Sequence, residues 1–106
     1  MRPSLRELVR AEWTITRDHI ADPDAQPGTN ANAVGIVGPR TAKRTHEQIK
    51  ADPSGKKFRM RDDDGELYYE GVLVGGDGFE PLDDFGGPNA GATSIEYREG
   101  NKWKQL

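Results

Sequence analysis

Residues 56–74 read KKFRMRDDDGELYYEGVLV, with apolar and polar residues alternating on each side of Asp64-Gly65. An Asp-Gly pair between two alternating runs predicts a β-hairpin, here over residues 57–74, because both residues tolerate the backbone angles of a tight turn. Successive side chains of a strand point to opposite faces of its sheet. The face that we expect to join the core carries Phe58, Met60, Leu67, Tyr69 and Leu73.

The length of the turn sets the register of this hairpin. A turn of two residues places Arg59 opposite Glu70 and Arg61 opposite Tyr68, and a loop of four residues keeps the same two faces. We favour this register because it pairs opposite charges across the strands. The alternative is a three-residue loop with a bulge at the glycine, which groups Phe58 with Tyr68, Val72 and Val74.

A second hairpin is predicted over residues 93–106, TSIEYREGNKWKQL. Its turn lies in the segment EGNK, where Gly100 or Asn101 takes a positive φ. If the loop has three residues, Tyr97 faces Trp103 across the two strands. Such an aromatic cross-strand pair stabilises a hairpin.

Two more strands and two short helices complete the predicted fold. WTITRDHI (13–20) is rich in β-branched residues and AVGIV (33–37) is a short apolar run, so both are interpreted as strands. Serine or threonine followed three residues later by glutamate or glutamine predicts helices over 5–11 and 45–51. These elements predict a single α+β domain over residues 1–106, built on a twisted antiparallel sheet of five or six strands.

The composition suits a small domain with many connections. The 106 residues are 33% hydrophobic and include 13 glycines, 7 prolines and no cysteine, which excludes disulfides and thiolate metal sites. The opening segment MRPSLRELVR lacks the apolar run of a signal peptide, and no stretch approaches the ~20 apolar residues of a membrane span. We therefore expect a cytoplasmic protein that does not bind a membrane.

Charge is distributed unevenly along the chain. The net charge is −3, but residues 40–61 carry +6 and residues 62–99 carry −10. Segregated charge steers the approach of partners, and long loops on a small sheet carry function more often than the sheet does. Our first hypothesis is a non-enzymatic binding protein that recognises a protein partner through its charge-segregated surfaces and long loops.

The basic segment supplies the candidate contact residues. Lys57, Arg59 and Arg61 alternate along one strand and share a face, which Tyr68 joins in the favoured register. Cations beside an aromatic ring suit single-stranded nucleic acid, so nucleic-acid binding is the second hypothesis, although a pI near 5.3 opposes long-range attraction. The candidate partner-binding or nucleic-acid-binding residues are Arg40, Lys43, Arg44, Lys57, Arg59, Arg61 and Tyr68.

The third hypothesis is a metal-dependent enzyme. Asp77, Glu80, Asp83 and Asp84 lie close together in the sequence, and carboxylate oxygens are the ligands that Ca²⁺ or Mg²⁺ requires. Their spacing matches no calcium loop, and Asp, Asn, Gly and Pro also dominate turns. We therefore interpret residues 79–100 as a connecting loop that turns into the first strand of the second hairpin, and we expect no catalytic residue, metal or cofactor.

Overall fold

The computed structural model describes residues 11–106, which form a six-stranded antiparallel sheet and two short helices. The strands are β1 (Glu12–Asp18), β2 (Val37–Gly38), β3 (Lys56–Arg61), β4 (Leu67–Val74), β5 (Ser94–Glu99) and β6 (Lys102–Gln105). The helices are α1 (His46–Ala51) and α2 (Gly87–Ala90), and a π-helical turn (Leu82–Gly86) leads directly into α2. Across the sheet the strand order is β2-β1-β4-β3-β5-β6. The predicted α+β architecture is confirmed.

The ends of the chain's first elements differ from the prediction. The strand expected over 13–20 is β1, which spans residues 12–18. Of the strand expected over 33–37, only Val37 lies in a strand, β2, so most of that prediction is wrong. The helix expected over 5–11 lies outside the described residues except for Ala11, which belongs to no regular element. None of the helices within residues 11–106 is long and apolar enough to cross a membrane.

The β3–β4 hairpin combines the favoured strand register with the turn of the alternative prediction. Its body has the favoured register, with Arg59 opposite Glu70. Its turn is the three-residue kind, with Gly65 at φ +84°, a left-handed conformation that glycine adopts without steric cost. A bulge at Tyr68 takes up the extra residue and restores the register of the remaining strand.

The bulge also changes the surroundings of Tyr68. Arg61 faces Leu67 across the strands, and Leu67 is half-buried, so the expected core position of Leu67 is wrong. Tyr68 packs against the main core cluster, with its ring centroid 6.4 Å from that of Tyr69. The expectation that Tyr68 lies beside Arg61 is therefore also wrong.

One face of the sheet is covered by the π-helical turn and α2. Leu82 and Phe85 of this segment are buried, and the Phe85 ring centroid lies 5.2 Å from Tyr69 and 5.9 Å from Trp13. Each such buried side chain contributes about 1.5–3 kcal/mol through loss of apolar contact with water. Residues 82–90, interpreted from sequence as loop, thus form a helical cover over the main core. That core contains Trp13, Ile15, Phe58, Met60, Tyr69, Leu73, Leu82, Phe85, Ile95 and Tyr97.

Helix α1 packs on the opposite face of the sheet through its buried apolar side chain. Ile49 is fully buried against Val72 and Val74 of β4. The predicted capping box is present, because the Thr45 hydroxyl accepts from the Gln48 N–H and the Gln48 side chain accepts from the Thr45 N–H. The helix predicted over 45–51 is confirmed, and it covers only one end of this face.

The β5–β6 hairpin closes with a two-residue turn at Gly100-Asn101. Gly100 has φ +61° and no other residue of the turn has a positive φ, as in the type II′ turns that match strand twist. With this shorter loop Trp103 faces Arg98. The pairing of Tyr97 with Trp103, expected only for a three-residue loop, therefore does not form.

Candidate functional site: a basic groove on the open sheet face

Among residues 11–106, α1 covers only one end of the second sheet face. A depression of about 450 Å³ lies there between Lys50 of α1 and Trp103 of β6. We call it the basic groove; its lining residues are Thr16, Arg17, Lys50, Lys57, Phe58, Glu70, Gly71, Val72, Arg98 and Trp103. The lining comes from five strands and one helix, so the groove exists only in the folded sheet.

Positive charge dominates the basic groove. Four of its side chains are exposed cations: Arg17, Lys50, Lys57 and Arg98. Within the described part of the chain, Glu70 is the one carboxylate among the lining residues. It is hydrogen-bonded to the His19 ring at 2.6 Å and lies 3.9 Å from the Arg17 guanidinium. The four cations therefore outnumber a carboxylate that already has partners.

An indole ring forms one wall of the basic groove. Trp103 is half-buried, and the guanidinium carbon of Arg59 lies 4.1 Å from its ring centroid. A cation over an indole face is held by the ring quadrupole. One face of Trp103 is thus covered by a side chain of the same protein.

Two of the predicted contact residues are joined to a carboxylate outside the groove. Glu96 accepts a hydrogen bond of 2.8 Å from the Nε of Arg59 and another of 2.8 Å from the Nε of Arg61. Burial raises the pKa of Glu96, but the bonds from the two arginines outweigh it and lower the pKa below its usual range. Arg59 and Arg61 therefore stabilise the sheet, and their charge is partly neutralised where they lie.

The predicted residues before α1 are also placed by a carboxylate. Glu12 is buried and accepts from the backbone N–H of Lys43 at 2.6 Å and from the Arg44 guanidinium at 2.8 Å. Burial raises the pKa of Glu12, and these hydrogen bonds lower it by more. Arg44 and the backbone of Lys43 thus fix the segment that enters α1.

The seven predicted candidates do not form one site. Arg40 lines a separate cavity of about 400 Å³ together with Trp13 and Asp84. Tyr68 packs on the core side, and of the seven only Lys57 lines the basic groove. The structure brings together Arg59 and Arg61 at Glu96, as described above, but it separates both from the residues that precede α1.

Two of the four acidic residues of the third hypothesis contact side chains of different strands. The Asp77 carboxylate lies 3.1 Å from the Lys56 ammonium, and Asp84 accepts a 3.1 Å hydrogen bond from the Trp13 indole N–H. In residues 11–106, no group of three or more His, Asp or Glu side chains is placed to hold a metal ion. The described part of the chain therefore offers no metal centre at this segment.

Sequence reasoning missed Arg17, Lys50, Arg98, Trp103 and Glu96. Glu96 and Arg98 do alternate within β5, which indicates that they share a face. Strand β5 lies beside β3 and not beside β4, and local sequence patterns did not indicate this pairing. The lining of the groove thus depends on a pairing between strands that are distant in the sequence.

The basic groove has the chemistry of a binding surface for anionic groups. Exposed guanidinium and ammonium groups donate to carboxylates or phosphates, and the half-buried indole adds apolar contact. No protein-family model, no curated protein and no solved structure matches this chain.

Proposed function

We propose that this protein is a small, non-enzymatic cytoplasmic binding module whose basic groove holds an acidic segment of a partner protein. The observation that supports the proposal is the ring of four exposed cations around one depression. Charge of one sign around a concave surface attracts an oppositely charged partner and orients it. The lack of cysteine in the sequence is compatible with a cytoplasmic location.

Nucleic-acid binding is the second candidate, and the contacts of its expected residues weigh against it. Single-strand binders stack bases on free aromatic rings. Tyr68 packs against the core cluster, and one face of Trp103 lies under Arg59. Arg59 and Arg61 are engaged by Glu96. The groove retains cations that attract phosphate, but Tyr68, the stacking residue predicted from the sequence, does not line it.

The proposal is tested by an amide-resolved NMR titration at low salt with two probes, an octaglutamate peptide and a single-stranded octanucleotide. We expect the peptide to shift amides around Arg17, Lys57 and Arg98, and we expect added salt to reverse the shifts. The double variant Arg17→Gln with Lys57→Gln removes two groove cations and should abolish the shifts. Its matched control is Arg40→Gln with Lys43→Gln, which removes the same charge from a segment outside the groove.

Equal weakening in the two double variants would contradict the proposal, since the response would then follow net charge and not the groove. Shifts from the oligonucleotide alone would instead support the second candidate. In that case the salt dependence should report the number of phosphates bound. Four cations contacting a single strand predict a slope of log K against log salt of about −3.

A further inference from the structure

Within the described residues, the sheet has one unpaired edge that is long enough to accept another strand. Within residues 11–106, β6 pairs only with β5, and β2 at the other edge of the sheet is two residues long. Strand β6 has four residues, three of them exposed. Unpaired backbone groups on an edge strand are a template for a strand from another chain.

The hydrogen-bond pattern identifies the backbone groups of β6 that face outward. The Leu106 N–H donates to the Ile95 carbonyl at 3.1 Å, so these two residues form a hydrogen-bonded pair. Hydrogen-bonded and non-hydrogen-bonded pairs alternate along antiparallel strands. The pairs of Trp103 with Arg98 and of Gln105 with Glu96 are therefore of the second kind. Their N–H and C=O groups in β6 point away from β5, toward the free edge.

The side chains of β6 favour a particular pattern of acidic and apolar residues in a strand that would pair with it. Lys102 and Lys104 are exposed and share one face of the sheet, while Trp103 lies on the other face at the rim of the basic groove. Lysines on an edge strand oppose pairing with a basic strand, but they attract a strand with carboxylates in the neighbouring positions. An added strand with acidic residues on one face and apolar residues on the other matches both faces of β6.

We propose that β6 accepts an extended segment of a partner protein as a seventh strand, in which acidic and apolar residues alternate. Its carboxylates lie beside Lys102 and Lys104, its apolar residues lie beside Trp103, and its backbone bonds the outward groups of Trp103 and Gln105. This inference goes beyond the proposed function: the added strand lies beside the basic groove, but its carboxylates lie on the opposite face of the sheet from the groove cations.

The test uses a labelled eight-residue peptide in which glutamate and valine alternate. Gln105→Pro deletes one of the two outward N–H groups of β6 and leaves the hydrogen bonds to β5 in place, since proline is tolerated on an edge strand where the N–H faces solvent. Gln105→Ala is the matched control, because it removes the same side chain and keeps the N–H. We expect the alanine variant to bind like the unmodified protein and the proline variant to bind at least about tenfold more weakly.

A second measurement needs no variant and so does not depend on the folding of the proline protein. Saturation with the alternating peptide should slow amide hydrogen exchange at Trp103 and Gln105 by at least about tenfold, because both amides become hydrogen-bonded. The amide of Lys104 already faces β5 and should change little. A peptide of the same composition with four glutamates followed by four valines should not protect these amides.

The outcomes separate this inference from the proposed function. Equal affinity of the proline and alanine variants, with unchanged exchange at Trp103 and Gln105, would overturn strand addition. If Arg17→Gln with Lys57→Gln still abolished the octaglutamate response in that case, groove binding would stand without the seventh strand. Loss of binding in Gln105→Pro alone, with protection of the two amides, would support strand addition.

Discussion

Replacing Glu96 with glutamine should lower stability and strengthen anion binding at the same time. Glu96 accepts from the Nε atoms of Arg59 and Arg61, both at 2.8 Å, and its side chain is only 14% exposed. Hydrogen bonds to a charged group are worth about 1.5–3 kcal/mol and neutral ones about 0.5–1.5, so losing the charge costs about 1 kcal/mol per bond. Two bonds predict a loss of about 2 kcal/mol in the free energy of unfolding.

Urea unfolding at neutral pH measures this loss. With a denaturant slope of about 2 kcal/mol/M, the midpoint of Glu96→Gln should fall by about 1 M. The matched control is Glu99→Gln, an exposed carboxylate of the same strand, whose effect should stay within about 0.5 kcal/mol. An unchanged midpoint in Glu96→Gln would refute the inference that this carboxylate holds the two arginines.

The pH dependence gives an independent check, because the pKa of Glu96 is lower in the folded protein than its ordinary value of 4.5. Above the unfolded pKa the carboxylate is ionised in both states, and its stabilisation is complete. As the pH falls below 4.5 toward the folded pKa, the unfolded state binds its proton first and the stabilisation is lost. Glu96→Gln should therefore lose less stability than the unmodified protein between neutral pH and the acid range.

The same substitution releases Arg59 and Arg61 beside the basic groove. We expect octaglutamate to bind several-fold more tightly to Glu96→Gln than to the unmodified protein, provided that the titration is run where the variant is folded. Tighter binding in the less stable protein would separate the two roles of the arginines. Unchanged affinity would show that the freed guanidinium groups do not reach the bound peptide.

Three further substitutions test the fold around the groove. Glu12→Gln removes a buried charge that holds the entry to α1 and should cost about 2 kcal/mol in urea unfolding. Gly71→Ala should cost about 1–3 kcal/mol, because its Cβ would overlap the Phe58 ring and the backbone of β1, whereas Gly76→Ala, whose Cβ has no neighbour closer than 3.9 Å, should have little effect on the midpoint. Thr45→Ala removes the helix cap and should cost about 1 kcal/mol by the same assay.

The elements that the sequence predicted well are those whose signals lie within a few residues. The Asp64-Gly65 turn fixes a hairpin, and the side chains of Thr45 and Gln48 cap a helix that Pro53 prevents from continuing. The bulge at Tyr68 was not predicted, since it reconciles a three-residue turn with the register preferred by the strands. A local sequence pattern cannot show whether the turn length or the strand register will change when the two conflict.

The helical cover over residues 82–90 was missed because its local propensities oppose a helix. Glycine and proline disfavour helix interiors, and this segment contains Gly86, Gly87 and Pro88. Burial of Leu82 and Phe85 on the aromatic residues of the sheet outweighs that cost. The burial that outweighs the poor helix propensity depends on residues far apart in the chain. Local sequence therefore cannot distinguish a loop from a helix in this segment.

The distribution of charge along the sequence differs from its distribution over the folded sheet. Counted along the chain, residues 40–61 are strongly basic and residues 62–99 strongly acidic. In the sheet, Glu96 from the acidic segment lies between two arginines of the basic one. Two of the four exposed cations of the basic groove, Arg17 and Arg98, come from outside the basic segment. The charge of a binding surface in an antiparallel sheet therefore depends on which residues are neighbours across the strands. A basic or acidic segment of the sequence locates such a surface only where both paired strands belong to that segment.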